Sequence, residues 1–199
     1  MTKPPKNTSK AASLKESAIF FKNAVLKPKE VGYILPSSRY LIRRIATVAQ
    51  LANKKRAVEL GPGTGGTTRG FLAAMPADSQ LIAIDINQQF ILHLQKDISD
   101  PRLVLCHDSA ERLPDILAEN GWPDCDVVIS GIPFSTLPGG VGAAIVQAIY
   151  DSLGEGGTFV AYQLRDHVSR LANPVFGPPV FKKKEVRNFP PMRLFVWQK

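Results

Sequence analysis

Apolar residues in this chain follow two rhythms, and the change comes near residue 56. Before it they recur at helical spacing. Leu14, Ala18, Phe21 and Val25 make one stripe over 13–27, widened by Ile19, Phe20 and Leu26 and bordered by Lys15, Lys22 and Lys27. Pro28 ends that predicted helix. A second helix is expected to open at Ser37 or Ser38, whose hydroxyl can cap the free N–H groups. It would carry Leu41, Ile42, Ile45, Val48 and Leu51 inward and Arg39, Arg43 and Arg44 outward. From Arg56 onward, short apolar runs alternate with amphipathic stretches. Segments 57–60, 80–84, 102–106, 125–129, 157–164 and 193–197 read as strands, and 67–74, 88–98, 114–120 and 142–153 as helices. Alternation of this kind makes a mostly parallel sheet covered by helices on both faces. The expected division is a basic tail with helices over 1–55 and an α/β core over 56–199, with 1–12 disordered.

The polar residues of the core gather where strands end. Residues 57–70 run from a short strand through Glu59 into Gly61, Gly63, Gly65 and Gly66. Such glycines let the backbone turn sharply and approach a ligand. The second strand ends in Asp85, followed by Ile86, 24 residues after Gly61, where a carboxylate can hold the ribose hydroxyls of an adenosine ligand. The third leads into His107, Asp108, Ser109 and Ala110, and the fourth into Ser130, Gly131, Ile132, Pro133 and Phe134. Polar residues at successive carboxyl tips of an open α/β sheet imply one crevice across them.

The acidic strand tip narrows the ligand. A pyrophosphate site presents a helix N-terminus to an anion and has little use for a carboxylate. S-adenosylmethionine carries a sulfonium and an ammonium, which a carboxylate tolerates well. A dinucleotide-binding turn and a purely structural turn are the competing uses of the same glycines.

At 199 residues and 44% hydrophobic, the chain can bury one α/β core and has little room for a second domain. Cys106 and Cys125 fall on or beside core strands, and neither they nor the histidines have a metal-ligand spacing, so no metal is expected. No apolar run is long enough to span a membrane and the start is no signal peptide, which suggests a cytoplasmic protein. The net charge of +8 is unevenly placed: residues 1–56 carry +11 and residues 57–199 carry −3. That asymmetry suits an anionic partner, nucleic acid or the inner face of a membrane, or simply a solvated face.

Four segments together resemble one family: 32–41 (Gly-Tyr-Ile-Leu-Pro-Ser-Ser-Arg-Tyr-Leu), 58–65 (Val-Glu-Leu-Gly-Pro-Gly-Thr-Gly), 127–133 (Val-Val-Ile-Ser-Gly-Ile-Pro) and 187–193 (Arg-Asn-Phe-Pro-Pro-Met-Arg). The set is similar to the bacterial phospholipid N-methyltransferases of the rhizobial type, distant relatives of the ribosomal RNA adenine dimethyltransferases. The resemblance implies a class I methyltransferase core with a seven-stranded sheet. It also implies methyl transfer from S-adenosylmethionine to the amine of phosphatidylethanolamine, and a membrane-binding N-terminal helix. Helix 13–27 fits that last role on its own physics, because a basic amphipathic helix can lie in the headgroup layer; packing on the domain is the other use of its stripe. The chain departs from nucleic-acid amine methyltransferases at one place. Those have Asn or Asp before the Pro-Pro-Tyr or Leu-Pro-Tyr unit to accept hydrogen bonds from the target amine, whereas Gly131 offers no side chain.

Candidate cofactor contacts are therefore Glu59, Gly61, Gly63, Gly65, Asp85, Ile86, Asp108, Ser109, Ala110 and Ser130, and candidate acceptor-site residues are Tyr33, Ser130, Pro133, Phe134, Tyr162 and Arg165. Segment 31–40 is expected to fold over the cofactor. An alkyl ammonium must lose a proton before it attacks, and desolvation against Tyr33, Phe134 or Tyr162 would help. Tyr33, Asp108, Asp166 or His167 could take that proton. Arg165 and Arg187 suit a neighbouring phosphate, with Lys182–184 adding diffuse attraction, although Arg165 could instead pair with Asp166. The rival readings are an enzyme acting on RNA, one acting on a small soluble amine, and a cofactor-binding module without catalysis. The sheet is expected to end at Lys199 with no appended RNA-binding domain, which would speak against the RNA reading.

Overall fold

The computed structural model describes residues 37–199. The expected helix 13–27, Tyr33 and residues 31–36 of the segment expected to fold over the cofactor lie outside the described residues. Helix α1 (Arg39–Val48) starts where expected, with Ser38 Oγ accepting from the Leu41 N–H at 3.2 Å. It buries Leu41 and Ile45 completely and leaves Arg39 and Arg43 exposed. The core follows as β1 (Arg56–Leu60), α2 (Gly66–Ala74), β2 (Gln80–Asp85), α3 (Gln88–Asp97), β3 (Leu103–His107), α4 (Leu113–Glu119), β4 (Cys125–Ser130), α5 (Val141–Ser152), β5 (Leu153–Gln163), α6 (His167–Phe176), β6 (Phe181–Glu185) and β7 (Met192–Gln198).

The seven strands form one sheet in the order β3-β2-β1-β4-β5-β7-β6. β1 to β5 pair in parallel, while β7 runs antiparallel to β5 and β6. Central strands alternate their apolar side chains between two layers. Val58, Leu60, Ile82 and Val128 face a layer with Ile116 of α4, Ile145 and Ile149 of α5 and Val168 of α6. Ala57, Leu81, Val127 and Ile129 face Leu41 and Ile45 of α1 and Phe71 and Leu72 of α2. That double burial explains the near-continuous apolar runs in the sequence. Within the second layer the helices approach closely where side chains are small: a Cβ on Gly70 would lie 2.2 Å from Ile42 Cγ2, so α1 rests on α2 at that glycine.

Three features depart from the sequence expectation. β6 was not foreseen, because its Lys182-Lys183-Lys184 run has no alternation; as the outer strand it pairs only with β7, and lysines are at home on an exposed edge. α6 was also missed, since Pro174 inside it argues against a helix. Arg44 turns inward to meet Glu185, which is buried between Arg44 and Arg187. Hydrogen bonding by Arg187 and Arg44 holds the Glu185 carboxyl down at about 2.

Candidate functional site

The strand order reverses between β1 and β4, where β2 continues one way and β5 the other. Two amides stitch the tips together: Gly61 N–H donates to Ile84 C=O and Gly131 N–H to Leu60 C=O, both at 2.9 Å. Loops leaving β1 and β4 must part there, and the gap is the crevice expected at a topological switch point. It spans about 590 Å³ of space between protein atoms, open solvent at its mouth included. Its walls include Gly61, Asp85 and Ile86, the Ser109–Glu111 turn, and an apolar side of Ile132, Leu137, Val141 and Ile145.

Asp85 is the most deeply buried polar side chain lining this pocket, 5% exposed. One carboxylate oxygen accepts the Asn87 N–H at 2.8 Å and the other a long 3.4 Å contact from Gly63 N–H. Burial pushes its carboxyl up to about 6, against the pull of those two amides. Gly61 and Gly63 both have positive φ, at 75° and 54°, so the loop between Glu59 and α2 takes a path that other residues rarely adopt. Gly65, also left-handed at φ 82°, serves packing as well: a Cβ there would meet Leu94 Cδ2 at 2.2 Å, so α3 rests on the start of α2.

Glu59 lies beneath the crevice, not in its wall. It is fully buried, and its two oxygens accept from Thr67 Oγ1 at 2.5 Å and Thr68 Oγ1 at 2.7 Å. Those bonds tie the end of β1 to the first turn of α2. Burial pushes the Glu59 carboxyl up to about 7 despite both hydroxyls. Sequence reasoning missed Thr67 and Thr68, although hydroxyls eight and nine residues after a strand-tip carboxylate were there to be read.

At the β4 tip, Ser130 is buried and its Oγ accepts the Ile132 N–H at 3.2 Å, closing the turn. Ile132 C=O accepts from Gln163 Nε2 at 2.8 Å, and Pro133 C=O accepts from Thr136 N–H and Oγ1, both at 2.9 Å. Those carbonyls are therefore already engaged. Phe134 is 1% exposed and sits in the core against Gly142, away from the crevice wall. A short 3-10 turn after Pro133 rolls its ring under α5. Tyr162 does reach the β4 exit. A Cβ at Gly131 would fall 2.3 Å from its hydroxyl oxygen, so that hydroxyl fills the volume a side chain at 131 would need. The same hydroxyl is in hydrogen-bonding range of Thr67 and close to Glu59, and burial pushes its pKa above the usual tyrosine value.

Other candidates separate. Ser109 and Ala110 line the crevice with Glu111, which sequence reasoning had not singled out. The Asp108 carboxylate instead pairs with Arg112 and accepts the Ser109 N–H at 2.8 Å. Asp166 pairs with Arg193 at 2.5 Å and Lys182 at 3.2 Å, not with Arg165. Arg165 is exposed just past the tip of β5, and no ion pair holds it among the described residues. No group of residues suited to a metal ion and no helix long and apolar enough to cross a membrane is found among the described residues.

No family model matches the chain. It is similar to an ornithine lipid N-methyltransferase of Singulisphaera acidiphila, 25% identical over 173 residues covering 86% of this chain and 88% of that protein. It is also similar to a ribosomal RNA small subunit methyltransferase A of Gloeobacter violaceus, 27% identical over 67% of this chain, which spans under half (46%) of that protein. Among solved structures, the N-methyltransferase NodS of Bradyrhizobium japonicum, bound to S-adenosyl-L-homocysteine, superposes with a TM-score of 0.64 at 12% identity, over 81% of this chain and 86% of that one. Its fold is the same doubly wound sheet. A buried carboxylate beside an apolar slot suits an adenosine sulfonium. The chain is an S-adenosylmethionine-dependent methyltransferase of the class I fold.

Proposed function

We propose that this enzyme methylates the amine of a lipid headgroup of phosphatidylethanolamine type. The observation that carries the reading is the β4 exit, where the Tyr162 hydroxyl takes the volume of a side chain at Gly131. A planar base amine would be left without a side-chain acceptor at that position, whereas an alkyl amine needs only a desolvating wall and a route for its proton. The near full-length likeness to a lipid N-methyltransferase supports the same choice.

Asp85 would hold the ribose, and Ser109, Ala110 and Glu111 would border the adenine. When bound, S-adenosylmethionine supplies an electrophilic methyl group. The protein positions the amine in line and keeps water out with Ile132, Leu137, Val141 and Ile145. Burial near Tyr162 disfavours the ammonium and eases loss of its proton. The Tyr162 hydroxyl, through Thr67, leads to Glu59, whose raised pKa near 7 suits a proton acceptor at neutral pH. Arg165 would pair with the headgroup phosphate. On this reading Tyr33 would wall the acceptor site and helix 13–27 would contact the membrane.

Incubation with radiolabelled cofactor and separate lipid, RNA and soluble-metabolite pools tests the reading. Label should enter the lipid pool. Label confined to RNA would instead support the reading suggested by the ribosomal RNA relative, and label confined to soluble amines would leave neither.

A further inference from the structure

We propose that the turn between β6 and β7, with Val186 and Phe189 at its tip, is a membrane-contact surface that seats in an anionic phospholipid headgroup layer. The inference rests on the lipid reading above. Phe189 is 82% exposed and Val186 68% exposed, so one short turn holds two apolar side chains in water, three residues apart. The turn around them is held firmly. Asn188 Oδ1 accepts the Ser38 N–H at 2.8 Å, Asn188 Nδ2 donates to Pro190 C=O at 2.8 Å, and Glu185 pairs with both Arg44 and Arg187. Exposure of the two side chains is thus built into an anchored loop.

Position supports the assignment. β7 begins opposite the end of β5, with Arg193 beside Gln163, and β6 ends beside Met192. The turn therefore lies at the same edge of the sheet as the tips of β1, β4 and β5, where the crevice opens. β7 stands two strand spacings from β4, about 10 Å. A headgroup held at this edge would have only that span to cross.

Charge supports it as well. The guanidinium of Arg187 lies 4.5 Å from the Tyr40 ring centre and that of Arg39 4.9 Å, so one ring carries two exposed cations. Arg43 follows one turn along α1, and Lys182, Lys183 and Lys184 are exposed on β6. The only carboxylate within 37–48 and 181–193 is Glu185, which is buried and paired. A basic surface with apolar side chains at its tip matches an anionic interface. RNA would use the cations and could stack on Phe189, but it gains little from an exposed Val186.

Val180 supplies an internal control. It is 67% exposed, yet it precedes the far end of β6, about 16 Å from the turn. Full-length Phe189→Trp and Val180→Trp proteins are mixed with brominated vesicles of phosphatidylcholine with and without phosphatidylglycerol. Native Trp122 and Trp197 are 8% and 0% exposed and give both variants the same background. The probe at 189 should shift to the blue and lose most of its emission on the anionic vesicles, while the probe at 180 barely changes. Equal quenching at both positions, or none at 189, overturns the proposal; a response at 189 to structured RNA alone overturns it in favour of nucleic acid. These vesicles contain no lipid with a free amine, so the outcome is independent of the methyl acceptor. Transfer of label to detergent-dispersed phosphatidylethanolamine, where no bilayer is needed, tests the substrate reading separately.

Discussion

Replacing Gly131 with alanine tests the tightest piece of packing at the β4 exit. The new Cβ would lie 2.3 Å from the Tyr162 hydroxyl oxygen, 2.8 Å from its Cζ and 3.3 Å from Gly61 C=O, so at least the first two atoms must move. Tyr162 is 7% exposed and its backbone is fixed in β5 between β4 and β7, which leaves the ring little room. Inserting a methyl into such a site typically costs about 1–3 kcal/mol. Lower entropy of the unfolded chain offsets about 0.4–1 kcal/mol of that. A net loss of about 1–2 kcal/mol is expected, equivalent to a melting midpoint lower by about 2–8 °C for a domain of this size. Urea titration of wild type, Gly131→Ala, Tyr162→Phe and the double variant forms a cycle. Because Tyr162→Phe removes the 2.3 Å contact but leaves the 2.8 Å one, it should recover part of the loss, with a coupling of about 0.5–1 kcal/mol. Wild-type stability in Gly131→Ala, or strict additivity in the cycle, would refute the claim that the tyrosine hydroxyl occupies the side-chain volume at 131.

Two further outcomes follow from the buried carboxylates. Asp85→Ala should weaken cofactor binding by about 1.5–3 kcal/mol in calorimetry, the usual loss for hydrogen bonds to a charged group. Wild-type affinity should itself fall as pH drops below about 6, where the carboxyl protonates. An unchanged affinity in the variant would remove Asp85 from the site. For Glu59 the folded pKa of about 7 stands above the ordinary 4.5, so the native state binds more protons across that window and wild-type stability falls as pH rises through it. Its share is about 3 kcal/mol, and Glu59→Gln should flatten the slope. Urea midpoints of the two proteins that keep the same pH dependence between about pH 4.5 and 7 would contradict a buried, proton-binding Glu59.

Much of this enzyme was legible in its order of residues. Burial on both faces forces the inner strands to be continuously apolar, and helices that cover a sheet must repeat at 3.6, so β1 to β5 and the helices between them could be placed to within a few residues. The glycine turn and Asp85 were legible for a similar reason: a sharp backbone turn and a strand-tip carboxylate each need a particular residue type at one position. What stayed hidden depends on distant neighbours. An outer strand such as β6 has one partner and no buried pair of faces, so its lysines carried no strand signal until β7 was found beside it. Arg44 follows the pattern of an outward cation, but Glu185 lies 141 residues further on and only the fold brings it within reach. Gly131 looks like a lost hydrogen-bond acceptor, whereas the tertiary structure puts the hydroxyl of Tyr162, 31 residues later on the neighbouring strand, into that volume. Local pattern records which face of an element is buried. The groups that meet across that face follow from strand order and register, and these are set by the packing of the whole sheet.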